Sequence, residues 1–183
     1  ETGIGYGPKG RLGDPHTEGD VYLASDNELT SFYNDNYLYV DGNLIVGNIN
    51  STGDILQGHI FLPVSQQTFL KPSEIKDISR LSKLLEVKDG LFIGNTQVED
   101  FSVLSSLQSA PVMWLNANKM TTIPSLQNVA GLKELNLSRN KITDIAPLLD
   151  LTGLEKLYLG YVDVPYFETN DIGMLTGLER MTG

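Results

Sequence analysis

Residues 131–160 read GLKELNLSRNKITDIAPLLDLTGLEKLYLG. Leu132, Leu135 and Leu137 return as Leu154, Leu157 and Leu159, a shift of 22 residues. Leu135 and Leu137 are two apart, so in an extended strand both point to one face and Asn136 to the other. Asn140 follows Leu137 by three, and beyond it the apolar spacing becomes three: Ile142, Ile145, Leu148, Leu151. A period of three suits a 3₁₀-like or short helical return. One unit is therefore a short strand, a bend and a loosely helical way back.

Such a unit cannot stand alone. It offers about seven apolar side chains at roughly 1.5–3 kcal/mol each, while ordering its residues costs on the order of 1–2 kcal/mol apiece. Stability comes only when neighbours stack and share faces. The pattern extends backward. Met113 and Leu115 sit 22 before Leu135 and Leu137, Asn118 matches Asn140, and Leu91 and Ile93 sit 22 earlier again. The threefold return recurs as Ile75-Ile78-Leu81-Leu84, Val98-Phe101-Leu104-Leu107 and Met120-Ile123-Leu126-Val129. The pattern L-x-x-L-x-L-x-x-N-x-I resembles the leucine-rich repeat. The fold expected is α/β: a right-handed leucine-rich repeat solenoid, with a parallel β-sheet on the concave face and short helical or 3₁₀ returns on the convex face.

The 183 residues suit one ordinary domain or one repeat array. There is no cysteine, hence no disulfide and no thiolate metal site. With 23 acidic against 13 basic residues the net charge is −10, which disfavours nucleic acid or an anionic membrane as partner. No apolar run is long enough to span a bilayer. The chain starts at Glu1 without a signal peptide or initiator Met and reads as a processed or trimmed fragment.

Residues 1–18, rich in glycine and without periodicity, read as an irregular arm or tether. Gly5-Tyr6-Gly7-Pro8-Lys9-Gly10 matches G-x-G-x-x-G, but no strand precedes it and Gly13, Asp14 and Pro15 argue against a following helix. The array is expected over 19–183, divergent over 19–70 and regular over 71–183. GDVYLASDNELTSF (19–32) makes the first turn: Val21 and Leu23 form its strand, and Leu29 and Phe32 start the return. YLYVDGNLIVGN (37–48) parallels LLEVKDGLFIGN (84–95), pairing Val40 with Val87, Leu44 with Leu91 and Val46 with Ile93. Residues 49–67 lose the threefold spacing, yet the count still allows a strand at Thr68 and Leu70. First strand positions then fall at Val21, Leu44, Thr68, Leu91, Met113, Leu135, Leu157 and Met181. The chain stops in or just after that last strand, leaving its edge short of cover, and a weak homodimer through the C-terminal end is expected.

The repeats from about Asn95 to Thr176 resemble internalin-type bacterial leucine-rich repeats. The divergent front half is similar to leucine-rich repeat surface lipoproteins of Gram-negative gut bacteria. The resemblance implies an exported binding or scaffold protein of the bacterial cell surface, held by a lipid anchor outside this sequence. It is specific for fold and not for ligand, and it carries no binding residues over.

Catalysis finds little support. His16 and His59 are the only histidines, and neither G-x-S-x-G nor H-E-x-x-H occurs. Glu99-Asp100 reads as solvated turn residues rather than a glycosidase pair. Asp26, Asp35 and Asp41 near asparagines would suit calcium, but the D-x-[DN]-x-[DN]-G loop is absent, and such residues bond their own backbone in turns. No cofactor, no metal and no enzyme activity are expected. Asn118 and Asn140 read as structural, satisfying backbone groups left unpaired at each bend.

Residues between the paired apolar strand positions face away from the core. They are Tyr22, Ile45, Phe69, Phe92, Trp114, Asn136, Tyr158 and Thr182. Five of these eight are aromatic, against 8% for the chain. Phe69, Phe92 and Trp114 are expected to form one exposed shelf, flanked by Gly90, Gly94 and Gly160, with Lys156 and Arg180 adding positive charge. The ligand-binding set is Phe69, Phe92, Trp114, Asn136 and Tyr158, offered to a protein, peptide or glycan. The rival readings are cross-strand stabilisation of the sheet, cover by the arm, and a spacer array without its own ligand.

Overall fold

The computed structural model describes residues 15–47 and 73–159. Among these residues the strands are β1 (His16–Thr17), β2 (Val21–Leu23), β3 (Tyr39–Val40), β4 (Asn43–Gly47), β5 (Glu86–Val87), β6 (Gly90–Gly94), β7 (Val112–Trp114), β8 (Glu134–Asn136) and β9 (Lys156–Tyr158), and the α-helix is α1 (Asp26–Asn34). Strands β2-β4-β6-β7-β8-β9 form one sheet, parallel throughout. A second, parallel sheet β1-β3-β5 is continued by the bridges Glu86–Ser109 and Ser109–Ala130. The turns from β2 to β8 are thus pinned to their neighbours at two corners, and the described chain is the expected solenoid.

The core follows from the period. Leu44, Leu91, Met113 and Leu135 stack in register from strand to strand, each fully buried. The threefold positions Ile75, Ile78, Leu81, Val98, Phe101 and Leu104 close the other side. Among the described residues, three returns are 3₁₀ helices, at Ser79–Leu81, Ser102–Ser106 and Ala146–Asp150. Each is opened by an aspartate accepting a backbone N–H two residues on: Asp77 from Ser79 (2.7 Å), Asp100 from Ser102 (2.8 Å) and Asp144 from Ala146 (2.9 Å). In the remaining copy the equivalent pair is Thr122 and Pro124, and proline has no N–H to donate; no 3₁₀ helix forms there.

The bends are held by polar side chains. Asn118 Nδ2 donates to the carbonyls of Ile93 (2.8 Å) and Leu115 (3.0 Å), while its Oδ1 accepts from Thr96 N–H (3.2 Å) and Oγ1 (2.6 Å). Asn140 repeats this one turn on, donating to Leu115 and Leu137 and accepting from Met120 N–H. Where asparagine is missing, Thr96 and Ser73 do half the task, their hydroxyls accepting from Val98 and Ile75 N–H. The residue before each bend is left-handed: Asn95, Ala117 and Arg139 have φ of 53°, 56° and 58°.

Three points refine the expected array. First, β4 and β6 are direct neighbours, with Leu44 opposite Leu91, 47 residues on. No turn carrying Thr68 and Leu70 stands between them. The length between the two strands mimics two repeats, whereas the return from β4 resumes at Ser73, which donates its N–H to Asn95 O. Second, the first return is the α-helix α1, one of the short helical returns expected. Ser25 accepts from Glu28 N–H (3.3 Å), and the Glu28 carboxylate accepts from Ala24 N–H (2.6 Å) and the Ser25 hydroxyl, a reciprocal cap. Leu29 and Phe32 are its buried residues. Third, His16 and Thr17, assigned by composition to the arm, pair with Tyr39 and Val40. The His16 ring stacks on Tyr39 at 4.5 Å and its Nδ1 lies 3.1 Å from Asp41 Oδ1. The rest of the arm, the segment around His59 and Phe69, and everything from Gly160 on, with the strand expected at Met181, lie outside the described residues.

Candidate functional site

The outward positions of the large sheet line up in one row: Tyr22, Ile45, Phe92, Trp114, Asn136, Tyr158. Period-two alternation places them opposite the core, as expected. Phe69 lies outside the described residues, and Ile45 is the neighbour of Phe92 on that side. The contiguous aromatic run among the described residues is therefore Phe92 and Trp114, with Tyr158 beyond Asn136.

The expected exposed shelf is largely covered. Phe92 is 3% exposed, Trp114 9% and Asn136 0%, whereas Tyr22 is 41% exposed and Tyr158 half-buried. The rings cover one another. Phe92 and Trp114 meet edge to face at 5.7 Å, and Trp114 and Tyr158 likewise at 6.4 Å. β7 and β9 flank β8, so the second pair closes across the strand between them, over Asn136. Ile45, Phe92 and Trp114, with Val112 against them, form an apolar cluster of their own, separate from the solenoid core. Such edge-to-face pairs contribute about 0.5–1.5 kcal/mol beyond burial. Gly90 makes room as expected: a Cβ there would lie 2.6 Å from the Phe92 ring.

Polar contacts orient the rings. Trp114 Nε1 donates to Glu134 Oε1 at 2.9 Å, and Lys156 Nζ donates to Glu134 Oε2 at 3.0 Å. One carboxylate thus ties the indole of β7 to the ammonium of β9. Its hydrogen bond and negative charge raise the Lys156 pKa above the ordinary lysine value. The cation foreseen near the rings is therefore in place but already paired. Sequence reasoning missed Glu134; the signal was its position two before Asn136, on the same outward face.

Among the described residues, no three His, Asp or Glu side chains converge on one point. Asp26 and Asp35 stand at opposite ends of α1, and Asp41 bonds His16. Glu99 and Asp100 lie in a turn, where Asp100 caps Ser102. The described arrangement offers surface and hydrogen bonds.

Residues 130–166 match a family model described as Leucine Rich repeats (2 copies). No curated protein matches the chain. An internalin of Listeria monocytogenes, known from its crystal structure, is similar over 89% of this chain at 20% identity, with a TM-score of 0.53. A second internalin of that organism aligns with 75% of the chain at 26% identity and a TM-score of 0.48. The chain spans 39% and 57% of those two proteins, less than two thirds of either. Its fold is that of a leucine-rich repeat solenoid, similar to that of the first of these internalins.

Proposed function

We propose that this chain is a non-catalytic, extracytoplasmic binding module that holds a protein, peptide or glycan on the open face of its sheet. The observation that carries the reading is the second apolar cluster. Ile45, Phe92 and Trp114 gather outside the core, on the face where the solenoid itself has no need of apolar groups. Tyr22 and Tyr158 border that cluster and reach solvent. Aromatic anchors ringed by polar groups are the usual composition of an interface centre. A leucine-rich repeat fold suits a protein partner in particular, because its stacked strands present one continuous surface. A bacterial cell-surface location, with any lipid anchor outside this sequence, accords with the fold it shares with internalins.

The purified chain, probed on an array of surface proteins and glycans, tests this. Tyr158→Ala, which removes the more accessible ring, is expected to weaken capture of the array-identified ligand by about tenfold or more. Phe92→Ala with Trp114→Ala is expected to abolish capture while the solenoid still folds. Unchanged binding by both variants would refute the site. The burial of Phe92 favours a second reading, a spacer whose rings only brace the sheet. That reading expects no ligand on the array and a lowered melting point in the double variant.

A further inference from the structure

Beside the ring cluster, three buried side-chain atoms have no hydrogen-bond partner: Oδ1 of Asn116, Nδ2 of Asn136 and Oγ of Ser138. Asn136 is 0% exposed and Ser138 2%. They belong together. Trp114 stands opposite Asn136, and the bonds Leu115 N–H to Asn136 O and Ala117 N–H to Ser138 O extend that pairing, setting Asn116 beside Ser138. Alternation turns these positions to the open face. The Asn136 amide is fixed in orientation, because its Oδ1 accepts from Ser138 N–H at 3.0 Å. Buried polar groups in native proteins are nearly always paired, so three adjacent exceptions call for an explanation.

Their chemistry restricts what fits. Asn136 offers a donor, Asn116 an acceptor, and the Ser138 hydroxyl serves as either. A carboxylate has no proton for Asn116, and an ammonium has no lone pair for Asn136. A neutral carboxamide or hydroxyl satisfies both. The surround is aromatic, so the group needs an apolar stem, which a water lacks. A sugar ring would bring more hydroxyls than three atoms can pair. We infer that this recess receives one uncharged polar side chain, Asn, Gln, Ser or Thr, from a polypeptide ligand; the inference rests on the binding reading above. The Trp114 and Tyr158 rings meet over Asn136, so entry parts them. Trp114 is the only tryptophan of the chain and reports that parting.

A displayed random-peptide library panned on the intact chain supplies the test. Enriched peptides are expected to share an Asn, Gln, Ser or Thr beside an apolar residue, and to red-shift Trp114 emission on binding. Asn136→Leu and Ser138→Ala, each checked for a native circular dichroism spectrum, are expected to weaken those peptides about tenfold, the loss of one neutral hydrogen bond. Ser138→Ala keeps the test open should Asn136→Leu fail to fold. Peptides that depend on Tyr158 yet bind both recess variants at full strength would overturn the recess and leave the binding face standing. Enrichment of peptides with a charged residue at the shared position would also overturn it. A library yielding no peptide at all would overturn the recess and leave the binding face to the array of proteins and glycans.

Discussion

Replacing Asn118 by alanine removes four hydrogen bonds from one buried bend. The Ile93 carbonyl loses a donor, and Thr96 N–H loses its acceptor. Leu115 O keeps a partner, because Asn140 Nδ2 also donates to it at 2.7 Å. The Thr96 hydroxyl still accepts from Val98 N–H. Two backbone groups therefore carry the damage, at about 1–3 kcal/mol each for a buried group left unpaired. The expected loss is about 2–6 kcal/mol. Asn140→Ala, at a bend only half-buried, is expected to lose less, about 1–3 kcal/mol. For a chain of this size about 1 kcal/mol moves the melting point by roughly 2–4 °C. Asn118→Ala should therefore melt at least about 4 °C lower in a calorimetric scan. Thr96→Val removes the hydroxyl that donates to Asn118, so in a double-mutant cycle the two losses should fail to add by about 0.5 kcal/mol or more. A melting point unchanged within error, or strictly additive losses, would refute the account of the bend.

Other outcomes follow from separate features. Ala117→Gly relieves a left-handed alanine with φ of 56° and is expected to raise stability by about 0.5–1 kcal/mol, relief of strain outweighing glycine's entropy; urea midpoints check this. Ser25→Ala breaks the cap of α1 and should cost about 0.5–2 kcal/mol, read from the midpoint of helical circular dichroism. The backbone N–H of Ser79 and of Ser102, with their hydroxyls, hold the Asp77 and Asp100 carboxyls below the ordinary aspartate value of 3.8. Both contributions are complete above the unfolded value and vanish as pH falls through the lowered folded ones. Stability should therefore begin to drop as pH falls below about 5, and the double change to asparagine, which keeps the cap oxygen without titrating, should flatten that slope.

The Leu and Ile period was enough to place β6 to β9, because each of those turns repeats at 22 residues with no insertion. The pairing of β4 with β6 was also legible, in the likeness of YLYVDGNLIVGN to LLEVKDGLFIGN. Counting misread it, since a 47-residue step looks like two turns. The helix α1 carried a readable signal in Ser25 and Glu28, but its two apolar residues also fit a loose return. The cover on the open face was not legible. Alternation along one strand says which way Asn136 points, whereas its burial depends on rings from the strands to either side meeting over it.

Gly47 and Ser73 stand where the regular turn has Gly94 and Thr96. Gly47 pairs with Gly94, and Ser73 supplies the same hydroxyl contact as Thr96. In the regular turn a single residue, Asn95, joins these two positions. Gly47 and Ser73 thus stand one residue's span apart in the frame of the repeat, with 25 residues of sequence, 48–72, between them. Gly47, at φ of +114°, is the hinge-pin of that opening, since a side chain there would strike the Gly94 carbonyl. Such a junction is a natural acceptor site for foreign sequence. A loop or a small domain grafted between Gly47 and Ser73 changes the length of the chain without altering the phase of a single repeat.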